Sequence, residues 1–93
     1  WVVELQMSSE SHIIIRPVIT EGALEAIERE NKLEFIVSRG ANKHMIRRAI
    51  ERLYEVEVMK VNTTILPTGE KKAYITLRPE FKASDIATKL GVF

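Results

Sequence analysis

The chain has 93 residues, of which 45% are hydrophobic and 29% charged. This length suits one domain with a modest core, and the composition is that of a globular protein. The absence of cysteine excludes disulfides and thiolate metal sites. No apolar run approaches the roughly 18 residues of a membrane-spanning helix. We therefore expect a cytoplasmic protein without membrane insertion.

The charges are unevenly distributed along the chain, although the net charge is only +1. Residues 1–38 carry three basic and seven acidic side chains, whereas residues 39–93 carry eleven basic and six acidic ones. A chain divided in this way can present one basic surface, which favours a nucleic-acid partner. A mixed surface with no such partner would give the same totals, so both interpretations stay open here.

We expect one α+β domain over residues 13–93, preceded by an extension over residues 1–12. The extension is expected to be disordered or, before Met7, not native, because Met7 suits a natural start.

The first third of the chain predicts a short strand followed by a helix. The apolar run at residues 12–15 indicates a strand or extended arm that ends at Pro17. Thr20 is a suitable N-cap for a helix over residues 21–30, and Asn31 a suitable stop.

The middle of the chain predicts a second strand and the clearest helix. Residues 32–38 alternate apolar and polar side chains, as strands do. Asn42 is placed to cap a helix over residues 43–54. Its apolar side chains recur every three or four residues and form one face: Ile46, Ala49, Ile50 and Leu53.

The remaining elements are two strands and a short helix. Residues 56–66 and 72–78 predict strands joined by a hairpin turn, and Ser84 is the expected cap of the last helix. The order (β)-α-β-α-β-β-α predicts an α+β fold, a mostly antiparallel sheet with helices packed on one face.

The predicted hairpin has one polar side. Period two places alternate side chains on opposite faces of a strand, and a three-residue loop at residues 68–70 would pair Lys60 with Arg78. With that register both polar rows share one face. The polar rows are Lys60, Asn62, Thr64, Lys72, Tyr74, Thr76 and Arg78; the apolar rows, predicted to face inward, are Met59, Val61, Ile65, Ala73, Ile75 and Leu77.

This polar face offers groups that RNA-binding sheets use. Cations suit phosphate, amides and hydroxyls suit sugar and phosphate, and a tyrosine ring suits a base. Lys71 adds charge near the turn, and Lys43 is the best candidate on its helix because Arg47 and Arg48 can pair with Glu51. The alternative is that the polar face is simply the solvated side of an antiparallel sheet.

Catalytic and metal-binding patterns are missing from the sequence. The only aspartate is Asp85, and His12 and His44 lack ligand-type neighbours at metal spacing. The glycines form no phosphate-binding series. We therefore expect no enzyme activity, no metal site and no cofactor.

Five segments together resemble one known family. They are IRPVITE at residues 15–21, KLEFIV at 32–37, IERLYEVEV at 50–58, VNT at 61–63 and GEKKAYITL at 69–77. In this order and spacing they resemble the large-subunit ribosomal protein twenty-three family, over nearly all of residues 13–93.

The resemblance implies an rRNA-binding α+β domain in the large ribosomal subunit, beside the exit of the nascent-chain tunnel. Implied partners are large-subunit rRNA, neighbouring ribosomal proteins such as large-subunit protein twenty-nine, the signal recognition particle, the protein-conducting channel and, in bacteria, a chaperone. Glu21 matches the acidic residue at which factors dock. The residues expected to contact rRNA, with Arg78 added from the hairpin pattern, are Arg16, Lys43, Lys60, Asn62, Thr63, Lys71, Lys72, Tyr74 and Arg78.

The departures from the family pattern indicate an archaeal member. The hairpin turn is short where bacterial members have a long basic loop, and the long basic N-terminal extension of eukaryotic members is missing. Gly22 stands where a lysine is common. The competing hypothesis is a protein-interaction or regulatory α/β domain that binds no nucleic acid.

Overall fold

The computed structural model describes residues 13–91, and the predictions for residues 1–12 lie outside this part of the chain. The described residues form four strands and three helices in the predicted order. The elements are β1 (Ile14–Pro17), α1 (Glu21–Glu30), β2 (Lys32–Val37), α2 (Lys43–Tyr54), β3 (Val58–Ile65), β4 (Lys71–Leu77) and α3 (Ala83–Leu90). None of these helices is long and apolar enough to cross a membrane.

The strands form one sheet in the order β1-β2-β4-β3, and every neighbouring pair is antiparallel. The two central strands, β2 and β4, are far apart in sequence, so the core depends on a long-range pairing. Pro17 lies in the edge strand β1, where a residue without a backbone N–H is tolerated. The predicted α+β fold and element order are confirmed.

One hydrophobic core contains buried side chains from the helices and from one face of the sheet. Alternate residues of β2 and β4 point into it, as the period-two pattern predicts. All three helices contribute buried side chains to the same core. Its members include Leu33, Phe35, Val37, Ala73, Ile75 and Leu77 from the central strands, and Ile27, Ile46, Ile50, Ile86 and Ala87 from the helices.

Local capping explains where two of the three helices begin. The Thr20 Oγ1 atom accepts a hydrogen bond from the Ala23 backbone N–H at 3.1 Å, and Asn42 Oδ1 accepts one from Met45 N–H at 2.9 Å. Each cap satisfies one of the donors that a helix N-terminus leaves without an intrahelical partner. Both predicted caps are therefore confirmed.

The predicted cap of α3 is wrong, because Asn31 supplies it from 52 positions away. Helix α3 begins at Ala83, and Ala83 N–H donates to Asn31 Oδ1 at 2.6 Å. The Asn31 Nδ2 atom donates to the Phe81 carbonyl at 2.7 Å. Asn31 itself ends α1 at a φ of 55°, a left-handed conformation that asparagine tolerates. A single amide thus joins the end of α1 to the start of α3.

We expect Asn31→Ala to lower the free energy of unfolding by about 2 to 4 kcal/mol. The change removes the cap of α3 and the amide that donates to the Phe81 carbonyl, and it leaves an alanine in a left-handed conformation. Asn42→Ala, which removes a local cap only, is the matched control with an expected loss of about 1 kcal/mol. Urea unfolding measures both. Equal losses would show that Asn31 does no more than an ordinary cap.

Candidate RNA interface

The hairpin turn determines which side chains share the candidate face. Gly69 N–H donates to the Leu66 carbonyl and Leu66 N–H donates to the Glu70 carbonyl, both at 2.8 Å. The three-residue loop is therefore 67–69, one residue earlier than predicted. Gly69 has a φ of 91°, and such loops place a left-handed residue, usually glycine, at their third position.

The earlier loop moves the strand register by two residues from the prediction. Lys60 pairs with Thr76 and Asn62 with Tyr74, so the predicted pairing of Lys60 with Arg78 is wrong. A shift of two residues leaves every side chain on its original face, because strand side chains alternate with period two. The predicted polar face therefore exists, with different neighbours across the strands.

The inward row predicted for β3 is partly wrong. Val58 is fully buried, whereas Met59 and Ile65 are 52% and 58% exposed. The register shifts between Val58 and Lys60, and an irregularity of this kind breaks the alternation of side chains. Ile65 lies opposite Lys71 at the loop end of the hairpin, where it is exposed like the rest of the turn.

Lys72 forms an ion pair that shields it from solvent. Its Nζ atom lies 2.8 Å from Glu34 Oε1, and the two side chains are only 18% and 9% exposed. The hydrogen bond to Glu34 raises the pKa of Lys72. Sequence inspection missed Glu34, because its role depends on the pairing of β2 with β4.

Tyr74 lies between two cations on the same face. The ammonium groups of Lys72 and Lys32 are 5.0 and 5.9 Å from the centre of its ring, within the range of cation–π attraction. Beside this cluster, a cleft of about 300 Å³ separates the face from α1 and is lined in part by Gly22 and Ala26. The ring is thus held by neighbours within the fold.

Arg16 is held by Glu70 through two hydrogen bonds, of 2.8 and 3.2 Å. This hydrogen bonding lowers the pKa of Glu70 and raises the pKa of Arg16. The pair joins β1 to the hairpin turn across β2. Lys71 is also engaged, because its Nζ atom donates to the Ala41 carbonyl.

Three other predicted contacts remain available. Lys43, Lys60 and Arg78 are exposed, and none forms an ion pair or a side-chain hydrogen bond within residues 13–91. Asn62 is exposed beside Lys60 on the polar face. Thr63 pairs with Ala73 and so lies on the opposite, core side of the sheet. The candidate residues therefore fall into an internally paired group and a free group.

Of the two pairings predicted with Glu51 on α2, the structure has that of Arg47, with Nε and Oε2 3.7 Å apart, and not that of Arg48. The side chains of Arg47 and Glu51 also bind the backbone of Val58. Arg47 donates to its carbonyl and Glu51 accepts from its N–H, each at 2.9 Å. The two side chains thus satisfy the backbone N–H and carbonyl of Val58 in the edge strand β3. Because Arg47 is engaged in these contacts, its charge is less available to an external anion.

Glu21 lies exposed in the first turn of α1. Ile19, two residues earlier, is 58% exposed. At Gly22 an added Cβ atom would meet nothing within 4 Å. The segment expected to dock factors is therefore open to solvent, and no bulky side chain covers Glu21 from position 22.

We expect Glu34→Gln to lower the free energy of unfolding by about 1 to 2 kcal/mol, because Lys72 would lose its partner in a poorly hydrated position. The raised pKa of Lys72 means that the pair stabilises the fold below the lysine's ordinary pKa, and that this contribution disappears as pH rises through the raised value. The difference between wild type and variant should therefore shrink above about pH 10.5.

Urea unfolding at pH 7 and in steps up to pH 11.5 measures this difference. Glu70→Gln is the control, since its pair with Arg16 is exposed and should matter little. A loss for Glu34→Gln no larger than for Glu70→Gln, or one that persists at high pH, would contradict the assignment.

Comparison with known proteins identifies the family. The family model for ribosomal protein L23 matches residues 12–85. The large ribosomal subunit protein uL23 of Pyrobaculum aerophilum is 55% identical to this chain over 80 residues, which cover 86% of the chain and 99% of the relative. The resemblance found in the sequence is confirmed, and the chain belongs to the ribosomal protein L23 family.

Proposed function

We propose that this chain is a non-enzymatic structural part of the large ribosomal subunit, which binds large-subunit rRNA near the nascent-chain tunnel exit. Family membership and the archaeal relative support a place in the ribosome and hence in the cytoplasm. The observation that carries the RNA-binding part is the exposure of Lys60 and Arg78 on the polar side of the hairpin, with no ion pair to either side chain from residues 13–91.

Free cations dominate the proposed binding. A cation that neutralises a phosphate releases condensed counterions, so its contribution is electrostatic and falls with salt. Lys60, Arg78 and Lys43 can each do so without first breaking an internal pair. Asn62 adds an amide that can donate to phosphate or sugar oxygens.

The paired cations are proposed to contact RNA with smaller effect. Arg16 and Lys72 keep donors beyond those used by Glu70 and Glu34, but the neighbouring carboxylates cancel most of their attraction for phosphate. Lys71 can donate its remaining N–H groups in the same way. Thr63 lies on the core side of β3, so its contact would come from RNA at the sheet edge.

Tyr74 is proposed to meet RNA with its ring edge or hydroxyl group. A base stacked on the ring would have to displace Lys72 or Lys32, whose ammonium groups lie over it. The polar face therefore favours backbone contacts over base stacking. This mode suits a protein that recognises the shape of folded RNA.

Glu21 is proposed as the docking point for factors that meet the emerging chain, namely the signal recognition particle and the protein-conducting channel. Its exposure beside the exposed Ile19 supports this role. Large-subunit protein twenty-nine is the proposed neighbour at the tunnel exit. Family membership favours this function over a protein-interaction domain without nucleic acid.

We expect Lys60→Gln with Arg78→Gln to reduce the slope of log affinity against log salt by about 1.5, since each lost phosphate contact removes about 0.7 to 0.9. Lys72→Gln alone should change the slope by less than half of the change expected for one lost phosphate contact, because Glu34 already neutralises Lys72. Binding to a tunnel-exit fragment of archaeal large-subunit rRNA over a salt series measures both variants.

An unrelated RNA of equal length is the control for preference. An unchanged slope in the double variant would remove the hairpin from the RNA-binding surface. No preference of the wild-type chain for the rRNA fragment would count against the proposed function in the isolated domain, and co-purification with ribosomes would then be the deciding measurement.

A further inference from the structure

Helix α2 packs on the core side of the sheet, opposite the polar face of the hairpin, and carries a concentration of positive charge. It holds four basic residues and one acidic residue, whereas α1 holds four glutamates and one arginine. The net charge of the whole chain is only +1, so α2 is much more basic than the average composition of the chain. Arg39, exposed in the turn before α2, extends the charge.

Arg48 is two positions from both Ile46 and Ile50, about 160° around the axis, and so lies opposite the buried side of α2, whereas Lys43 lies near the edge of that side. Ile46 and Ile50 mark the buried side, with no exposed surface. Lys43 and Arg48 are five positions apart, which at 3.6 residues per turn separates them by about 140° around the axis. His44 is exposed between them. The two cations thus point to different parts of the exposed side of the helix.

We define the α2 ridge as Arg39, Lys43 and Arg48. All three side chains are exposed, and none forms an ion pair or a side-chain hydrogen bond within the described part of the chain. Arg47, by contrast, is occupied by Glu51 and the Val58 carbonyl. Helical arginines commonly find acidic partners at i+4, so cations left free on one ridge are available to an external anion.

The ridge and the hairpin's polar face lie on opposite sides of the sheet. Helix α2 packs through Ile46 and Ile50 on the core that contains Ala73 and Ile75. The side chains of Lys60 and Tyr74 belong to the other face, because they alternate with those core residues along their strands. One RNA segment therefore cannot lie flat on both surfaces.

We propose that the α2 ridge is a second RNA-binding surface, which binds phosphates of double-helical RNA. This inference rests on the proposed function and adds to it: the domain sits between two RNA segments and fixes their separation. Double-stranded RNA is recognised largely through phosphates and 2′-hydroxyls across its minor groove. Guanidinium groups, as at Arg39 and Arg48, suit such contacts because they bind phosphate oxygens in pairs.

The test compares two charge-matched variants of the full chain. The first is Arg39→Gln with Arg48→Gln. The control is Lys82→Gln, just before α3, with Lys89→Gln in its last turn; both lysines are also exposed and without ion pairs in residues 13–91. All four positions are exposed, so both variants should fold, which urea midpoints verify. The probes are the structured rRNA fragment and a single-stranded RNA of equal length.

We expect the ridge variant to lose about 1.5 from the salt slope on the structured fragment and the control to lose less than 0.5, because only the ridge would touch phosphates. On single-stranded RNA the two variants should behave alike. Equal losses for ridge and control, or a ridge loss as large on single-stranded RNA, would overturn the proposal.

The outcome for the wild-type chain separates this inference from the proposed function. Steep, preferential wild-type binding with an unchanged ridge variant would overturn the second surface and leave the hairpin surface intact. Absence of salt-dependent binding by the wild-type chain would overturn both.

Discussion

The pairing of β2 with β4 is the constraint on which the rest of the structure depends. These central strands are joined antiparallel from Lys32–Thr76 to Val37–Lys71. One face of the pair lines the core, to which all three helices contribute buried side chains. The other face brings Glu34 beside Lys72 and Tyr74, so this register neutralises Lys72.

The division of cations into paired and unpaired ones links the fold to its proposed function. A cation beside a carboxylate attracts phosphate weakly, because the carboxylate cancels much of its charge, whereas an unpaired cation attracts phosphate strongly. Lys72 and Arg16 belong to the first class, and Lys60, Arg78 and the α2 ridge, which have no ion pair among residues 13–91, belong to the second. Free cations lie on both sides of the sheet, which suits a small protein held between segments of folded RNA.

Much of this architecture could be predicted from sequence, because its signals are local. Thr20 and Asn42 cap helices through residues three positions away, and alternation along β4 assigned its faces correctly. The rest depends on distant partners. Asn31 caps α3 from 52 positions away and Glu34 neutralises Lys72 across paired strands, whereas local pattern suggested Ser84 and left Glu34 unnoticed. The irregularity near Met59 likewise has no local signal in the sequence.

Lysine acetylation, followed by mass spectrometry with and without large-subunit rRNA, tests the division of cations most directly. In the free chain, Lys43 and Lys60 should react faster than Lys72, whose ammonium group is paired and only 18% exposed. Adding RNA should protect Lys43 and Lys60 but leave Lys82 and Lys89 reactive. Rapid labelling of Lys72 in the free chain, or protection of Lys82 and Lys89 in place of Lys43 and Lys60, would contradict the account.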